Sequence, residues 1–342
     1  MIIDVHGHYT TAPGELQAFR DAQLATLASG GRAAASMRPV TDDQLRESVE
    51  GNQLRVLRER GGDLMIFSPK ASAMEHHVPS ADVAIAWAQA SNDLVHRIAE
   101  LYPAHFAPVA QLPQTPDGNI PGVVAEIRRT VAELDFVGVN LNPDPSGTWA
   151  GKPLTDESWF PVFETLEELD VPAMVHVSTA CNPNFHTLGA HYLNADTSVF
   201  VQLLSSDVFE RFPALRLVIP HGGGAVPYHW GRYRGLAVRN GWQDPSALLS
   251  NLFFDSAVYH QPGIDLLLEV LPADNVLFAS EMLGAVRGAD PETGIEWDDT
   301  LHYLRAAAIS DADRAKVMTE NALRVYPRLR ARVRAAGALE SA

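Results

Sequence analysis

Met1-Ile2-Ile3-Asp4-Val5-His6-Gly7-His8 opens the chain. Ile2, Ile3 and Val5 read as a short buried strand, and the apolar run ends in His-Gly-His. On an extended backbone, residues two apart face the same side, so the imidazoles of His6 and His8 stand together. Gly7 keeps the space between them open. Two adjacent imidazoles at a strand end can hold a divalent metal such as zinc. A pair of surface histidines near a loose terminus has the same local sequence, so the choice rests on what the chain places beside them.

Outward from that strand, residues 9–40 read as a long insertion with a short helix near 15–25. Thr41-Asp42-Asp43-Gln44 is a capping box that opens a helix over 41–60, ended by Gly61-Gly62. Leu64-Met65-Ile66-Phe67 is a second buried strand. The unit then recurs, with helices at 81–101, 121–134, 156–169, 197–212, 226–238 and 264–271. They lead into strands at 106–112, 136–142, 173–177, 215–221, 252–258 and 276–281. Helices at 299–308 and 312–334 close the chain. About eight strand–helix units, with continuously apolar strands, predict one (β/α)8 TIM barrel over 1–342, its sheet buried on both faces. Alternation alone also suits a doubly wound sheet. The residues at the strand ends favour the barrel.

Strand after strand finishes on a polar side chain: His6 and His8, Lys70, Asn140 and Asn142, His176, His221, His260 after the seventh, and Glu281. An apolar strand has no packing reason to end this way repeatedly, whereas a barrel gathers these ends on its catalytic face. His6, His8 and His176 offer zinc three neutral nitrogens, and Glu281 is a fourth ligand or a base beside the metal. His221 is the free imidazole, and Gly222-Gly223-Gly224 behind it lets backbone approach a ligand or simply turns the chain. Lys70 and Arg287, in loops on the same face, can neutralise carboxylates or stand as solvated charges. Tyr192 and Asn194 follow strand five, Asn194 also suiting a helix N-cap. His76, His77, His186 and His191 lie in loops on this face without a rank among them. Arg232 and Arg234 fall within a helix, where a structural or interface role serves as well. Cys181 reads first as a buried thiol.

The net charge of −16 and the lack of a basic run argue against nucleic acid or an anionic membrane as partner. Positive charge for an anionic substrate must therefore be local. One cysteine in 342 residues excludes an intrachain disulfide, no apolar stretch is long enough to span a bilayer, and no signal peptide is read. A soluble cytoplasmic enzyme is expected, and a homo-oligomer, since barrels often pair through their outer helices.

The His6-x-His8 strand, His176, His221 before three glycines and the acidic end of strand eight resemble the amidohydrolase-2 branch of the amidohydrolase superfamily, over essentially the whole chain. Longer stretches point to its hydratases: 2–13, 139–147, 189–197, 220–232 and 278–282. The resemblance implies a zinc-dependent hydro-lyase adding water to a C=C bond of a small polycarboxylate in aromatic catabolism. A decarboxylase or a lactone hydrolase of the same branch is the alternative. A non-catalytic metal-binding scaffold would require a closed coordination sphere. The superfamily usually carries Asp where Glu281 stands, and Lys70 occupies a place where Arg is expected of the hydratases. Within the resemblance His6, His8, His176 and Glu281 hold the metal, and His221 and Glu281 move protons. Lys70, Asn140, Asn142, Tyr192, Asn194 and Arg287 are the substrate contacts.

Overall fold

The computed structural model describes residues 1–31 and 36–335; positions 32–35 of the expected insertion and 336–342 of the expected domain lie outside the described residues. Eight strands run in chain order: β1 (Ile3–Tyr9), β2 (Leu64–Pro69), β3 (Phe106–Gln111), β4 (Gly138–Leu141), β5 (Ala173–Val175), β6 (Leu217–Ile219), β7 (Leu252–Asp255) and β8 (Val276–Leu277). Each pairs in parallel with the next. The amide of Val5 donates to the Phe278 carbonyl and that of Glu281 to the His6 carbonyl, both at 2.9 Å, closing β8 onto β1. The sheet is a barrel of the TIM type.

The helices outside it are α1 (Gly14–Ala28), α2 (Asp42–Glu50), α3 (Gln53–Arg60), α4 (Ala81–Leu101), α5 (Ile120–Arg128), α6 (Phe160–Glu168) and α7 (Tyr192–Leu204). They continue with α8 (Val208–Arg211), α9 (Trp230–Asn240), α10 (Gln261–Val270), α11 (Thr300–Ala306), α12 (Asp311–Ala315), α13 (Asn321–Val325) and α14 (Leu329–Ala335). The Thr41–Gln44 capping box forms in both directions, and Gly61 ends α3 with φ at +80°. The helix expected over 41–60 is broken into two at Gly51-Asn52, where α2 ends before α3 begins. Among the described residues no helix is long and apolar enough to cross a membrane.

Inward-facing Ile3, Val5, Leu64, Ile66, Val109, Met174, Val218 and Phe253 fill the barrel, together with Tyr326, Leu329 and Val333 near the C-terminus. Gly138 opens β4 so close to Tyr326 that a Cβ would lie 3.0 Å from its ring. The larger core lies between sheet and helices. Packing at one end thus leaves the strand C-termini free for polar groups.

Candidate active site

β1 carries a bulge: Asp4 pairs with Met65 and Gly7 with Phe67, so β1 has one residue more than β2 in that interval. Buried Asp4 accepts from the His6 amide at 3.0 Å and from the Ser280 amide at 3.1 Å, fixing the bulge to the end of β8. Bulges re-aim side chains, and here the Nε2 atoms of His6 and His8 lie 3.0 Å apart. The Nε2 of His176, one residue past β5, is 3.3 Å from that of His8.

The far nitrogens explain what those close approaches require. Nδ1 of His176 donates to the Val177 carbonyl at 2.7 Å, and Nδ1 of His6 to the Asp255 carboxylate at 2.7 Å. Nδ1 of His8 lies 2.8 Å from Ser68 Oγ, whose hydroxyl is within reach of the Gly7 and Pro69 carbonyls. These bonds place the ring protons on Nδ1 and turn three Nε2 lone pairs toward one another. Bare lone pairs about 3 Å apart repel unless a cation lies among them, so the donor set fits a divalent metal. Burial, with the neighbouring imidazoles adding to it, holds His8 and His176 well below the ordinary imidazole range. Both are therefore neutral, as ligands must be.

The other half of the site hangs on strained backbone. His221 and Glu281 both have φ of +52°, a region L-residues rarely adopt. Gly222, Gly223 and Gly224 follow at +64°, +78° and +60°, and a Cβ on Gly224 would come 2.4 Å from the Leu193 carbonyl. His221 donates from Nδ1 to Asp196 at 3.0 Å, leaving Nε2 buried without a hydrogen-bond partner among the described residues, 3.8 Å from Glu281 Oε2. Burial pulls the His221 pKa down, but Asp196, Glu281 and Asp255 outweigh it and raise it to about 9. Burial raises Asp196 to about 6 against the pull of His221. Burial likewise works against the Asp255 carboxylate, but its bond to His6 prevails and holds it below the usual range.

His6, His176, His221 and Glu281 offer ligand atoms all within 4.8 Å of one another. His8 meets the same centre from the side of His6 and His176. The structure thus gathers the four expected ligands and brings His221 among them.

Two cavities meet at this centre. The smaller, about 130 Å³, is lined by His8, Thr10, Lys70, Ser72, Tyr192, Glu281 and Arg287 among others. The larger, about 630 Å³, is mostly apolar, with His221, Tyr259 and Glu281 on its inner wall and Leu193, Tyr228 and Val286 at exposed positions. Tyr192 stacks on His221 with ring centroids 5.6 Å apart.

Other expected residues lie elsewhere. Asn140 is buried beneath the histidines, donating to Ser68 Oγ at 3.2 Å. Asn142 packs in a buried network with His76 and Ser178 and lines neither of these cavities. Asn194 is exposed and also lines neither, because α7 begins at Tyr192 and Asn194 sits inside its first turn, not at an N-cap. His76 is bonded to the Leu112 carbonyl, His186 caps a turn, and His191 is buried with neither ring nitrogen bonded among the described residues. Cys181, expected buried, is exposed, because the loop after β5 carries it outward to contact the Ser146 carbonyl.

Asp255, Asp196, Ser68 and Tyr259 are not among the residues expected from the sequence. Asp255 carries a signal, a charged end on an apolar strand, but His260 beside it is the more conspicuous candidate. His260 stands exposed on the wall of the larger cavity.

A bulged β1, histidines with Nδ1 tethered and an acid in the turn after β8 define a metal-type TIM-barrel site. The family model described as Amidohydrolase matches residues 3–328, and the chain belongs to that family. It is 52% identical over 341 residues to a 2-keto-4-carboxy-3-hexenedioate hydratase of Sphingobium sp., covering 98% of this chain and 99% of that protein. The crystal structure of a 4-oxalomesaconate hydratase from Rhodopseudomonas palustris superposes with a TM-score of 0.91 at 47% identity, covering 100% of both chains. A γ-resorcylate decarboxylase of Rhodococcus jostii is 30% identical over 306 residues, 81% of this chain and 87% of that one.

Proposed function

We propose that the protein is a metal-dependent hydro-lyase adding water to the C=C bond of 4-oxalomesaconate, giving 4-carboxy-4-hydroxy-2-oxoadipate in protocatechuate 4,5-cleavage. The observation that carries this reading is the meeting of an imidazole cluster, the His221–Glu281 pair and two cations where two adjoining cavities share Glu281. It occurs in a chain that matches two hydratases end to end.

The double bond of this substrate is conjugated to a ketone. Oxygen adds at the carbon far from the ketone, the π electrons move to the ketone oxygen as an enolate, and the carbon beside the ketone then takes a proton. His6, His8, His176 and Glu281 are the residues proposed to hold the metal, with zinc as the ion. A bound zinc supplies Lewis acidity that lowers the pKa of water to about 7.

The remaining work falls to the chain. Lys70 and Arg287 set positive charge in the smaller cavity against the substrate carboxylates, which lets a chain of net charge −16 accept a trianion. Glu281 accepts the proton of the attacking water and His221 Nε2, 3.8 Å from its Oε2, shuttles a proton onward as the imidazolium that three carboxylates favour. Asp196 holds His221 in orientation by accepting from Nδ1. Tyr192, stacked on His221, offers its phenol to the ketone oxygen.

The deciding experiment follows the ultraviolet absorbance of 4-oxalomesaconate. It should fall without release of CO2, stop with a chelator and resume with Zn²⁺. Release of CO2 instead would replace this reading with that of a decarboxylase. Acid release with the chromophore intact would replace it with that of a lactone hydrolase. The free Cys181 supports a reducing, cytoplasmic setting. A homo-oligomer with no nucleic-acid or membrane partner completes the proposal, and light scattering reads its size.

A further inference from the structure

We infer that Tyr259 is a positioning residue that sets the working orientation of Glu281; the inference rests on the reading that Glu281 faces the metal group. Glu281 reaches the site across one more rotatable bond than an aspartate would, from a backbone held at φ +52°. A longer side chain needs more restraint to keep its carboxylate in one place. The structure provides that restraint at two points. The Tyr259 hydroxyl donates to Glu281 Oε2 at 2.8 Å. Gly284 packs so closely that a Cβ there would lie 2.5 Å from the Glu281 carbonyl oxygen, 2.9 Å from its Cγ and 3.1 Å from its Cδ.

The phenol therefore claims the oxygen that also faces His221 Nε2 at 3.8 Å. Oε2 is thus held between the phenol and the imidazole, which fixes the rotation of the carboxylate. The origin of Tyr259 strengthens the assignment. It stands four residues beyond Asp255, whose carboxylate accepts from His6. A single strand end thus restrains two members of the cluster, His6 through Asp255 and Glu281 through Tyr259. The Val258 amide donates back to the Ser256 carbonyl at 2.7 Å and the Ala257 amide to Asp255 at 3.0 Å, so the intervening turn is itself tied down.

Tyr259→Phe removes only the donor. Partners of this kind cost about 10–100-fold in metal affinity or activity when lost. The variant should lower kcat at least about tenfold with KM within about threefold. It should also weaken Zn²⁺ binding to the metal-free protein about tenfold by calorimetry. In a Glu281→Asp background, where the shorter carboxylate no longer reaches the phenol, adding Tyr259→Phe should change neither quantity by more than about twofold. Wild-type kcat and zinc affinity in Tyr259→Phe would overturn the inference. So would an equal loss from Tyr259→Phe in the wild-type and Glu281→Asp backgrounds. Should Tyr259→Phe not fold, Tyr259→Leu, which also lacks the donor, is read by the same zinc titration, and wild-type affinity there would overturn the inference. The titration uses Zn²⁺ alone, so it reads the role of Tyr259 even if 4-oxalomesaconate proves not to be the substrate.

Discussion

The two halves of the site are built on opposite principles. His6 and His8 lie within β1 at its bulge, and His176 one residue beyond β5, each with Nδ1 tethered by a neighbour. His221 and Glu281 lie beyond their strands on backbone at positive φ, and His221 Nε2 has no hydrogen-bond partner among the described residues. Burial keeps His8 and His176 neutral, whereas three carboxylates raise His221 to about 9. On the proposed reading the first half holds the cation, while the second moves protons and lends Glu281 to the metal; strain at such positions persists only where surrounding structure enforces it.

The largest effect expected breaks the first half. His6→Ala or His176→Ala should lose the metal and at least about a thousandfold in turnover, since the metal supplies the Lewis acidity. Metal analysis of the purified variants decides it, and metal-replete but inactive His6→Ala would end the ligand assignment. Next comes the buried neutral histidine nearest in character, His76, whose pKa burial lowers to about 4. The unfolded chain binds that proton near pH 6.5, so the stability at stake is fully present above 6.5 and is lost as pH falls through 4. The loss is about 3 kcal/mol. Urea titrations at several pH values should show it, with a flatter acid limb in His76→Gln.

His221→Asn tests the second half. It should keep the metal and lose about a hundredfold in kcat, within the usual range for a general acid–base group. Loss of the metal would instead make His221 a ligand, as its place within 4.8 Å of the cluster allows. The smallest effect compares the two backbones directly. Gly224→Ala meets a backbone carbonyl at positive φ and should cost about 2 kcal/mol. Gly7→Ala meets chiefly the Met65 side chain, with the Ile66 carbonyl 3.0 Å away, at a φ that alanine accepts, and should cost about 1 kcal/mol. Thermal melts of the two variants should keep that order.

Much of the site can be read from the chain because a polar residue ending an apolar strand breaks the packing pattern. His6, His8, His176, His221 and Glu281 all declare themselves that way, and their strand order places them at one end of a barrel. Lys70 and Arg287 follow from the same loops. Asn194 misleads because the sequence pattern starts the helix at 197, whereas α7 begins at Tyr192 and takes Asn194 into its first turn. Cys181 misleads because a loop's path outward leaves no periodicity to read.

By itself, the sequence determined the barrel, the family and the end of the barrel where chemistry sits, since those depend on local pattern and its repetition. The tertiary structure alone decided which carboxylate holds which imidazole. Asp255 serves His6 from 249 residues away and Tyr259 serves Glu281 from 22. It alone revealed the positive φ of His221 and Glu281. Such pairings arise from closing the sheet into a ring, and proximity across a ring has no periodic trace in the chain.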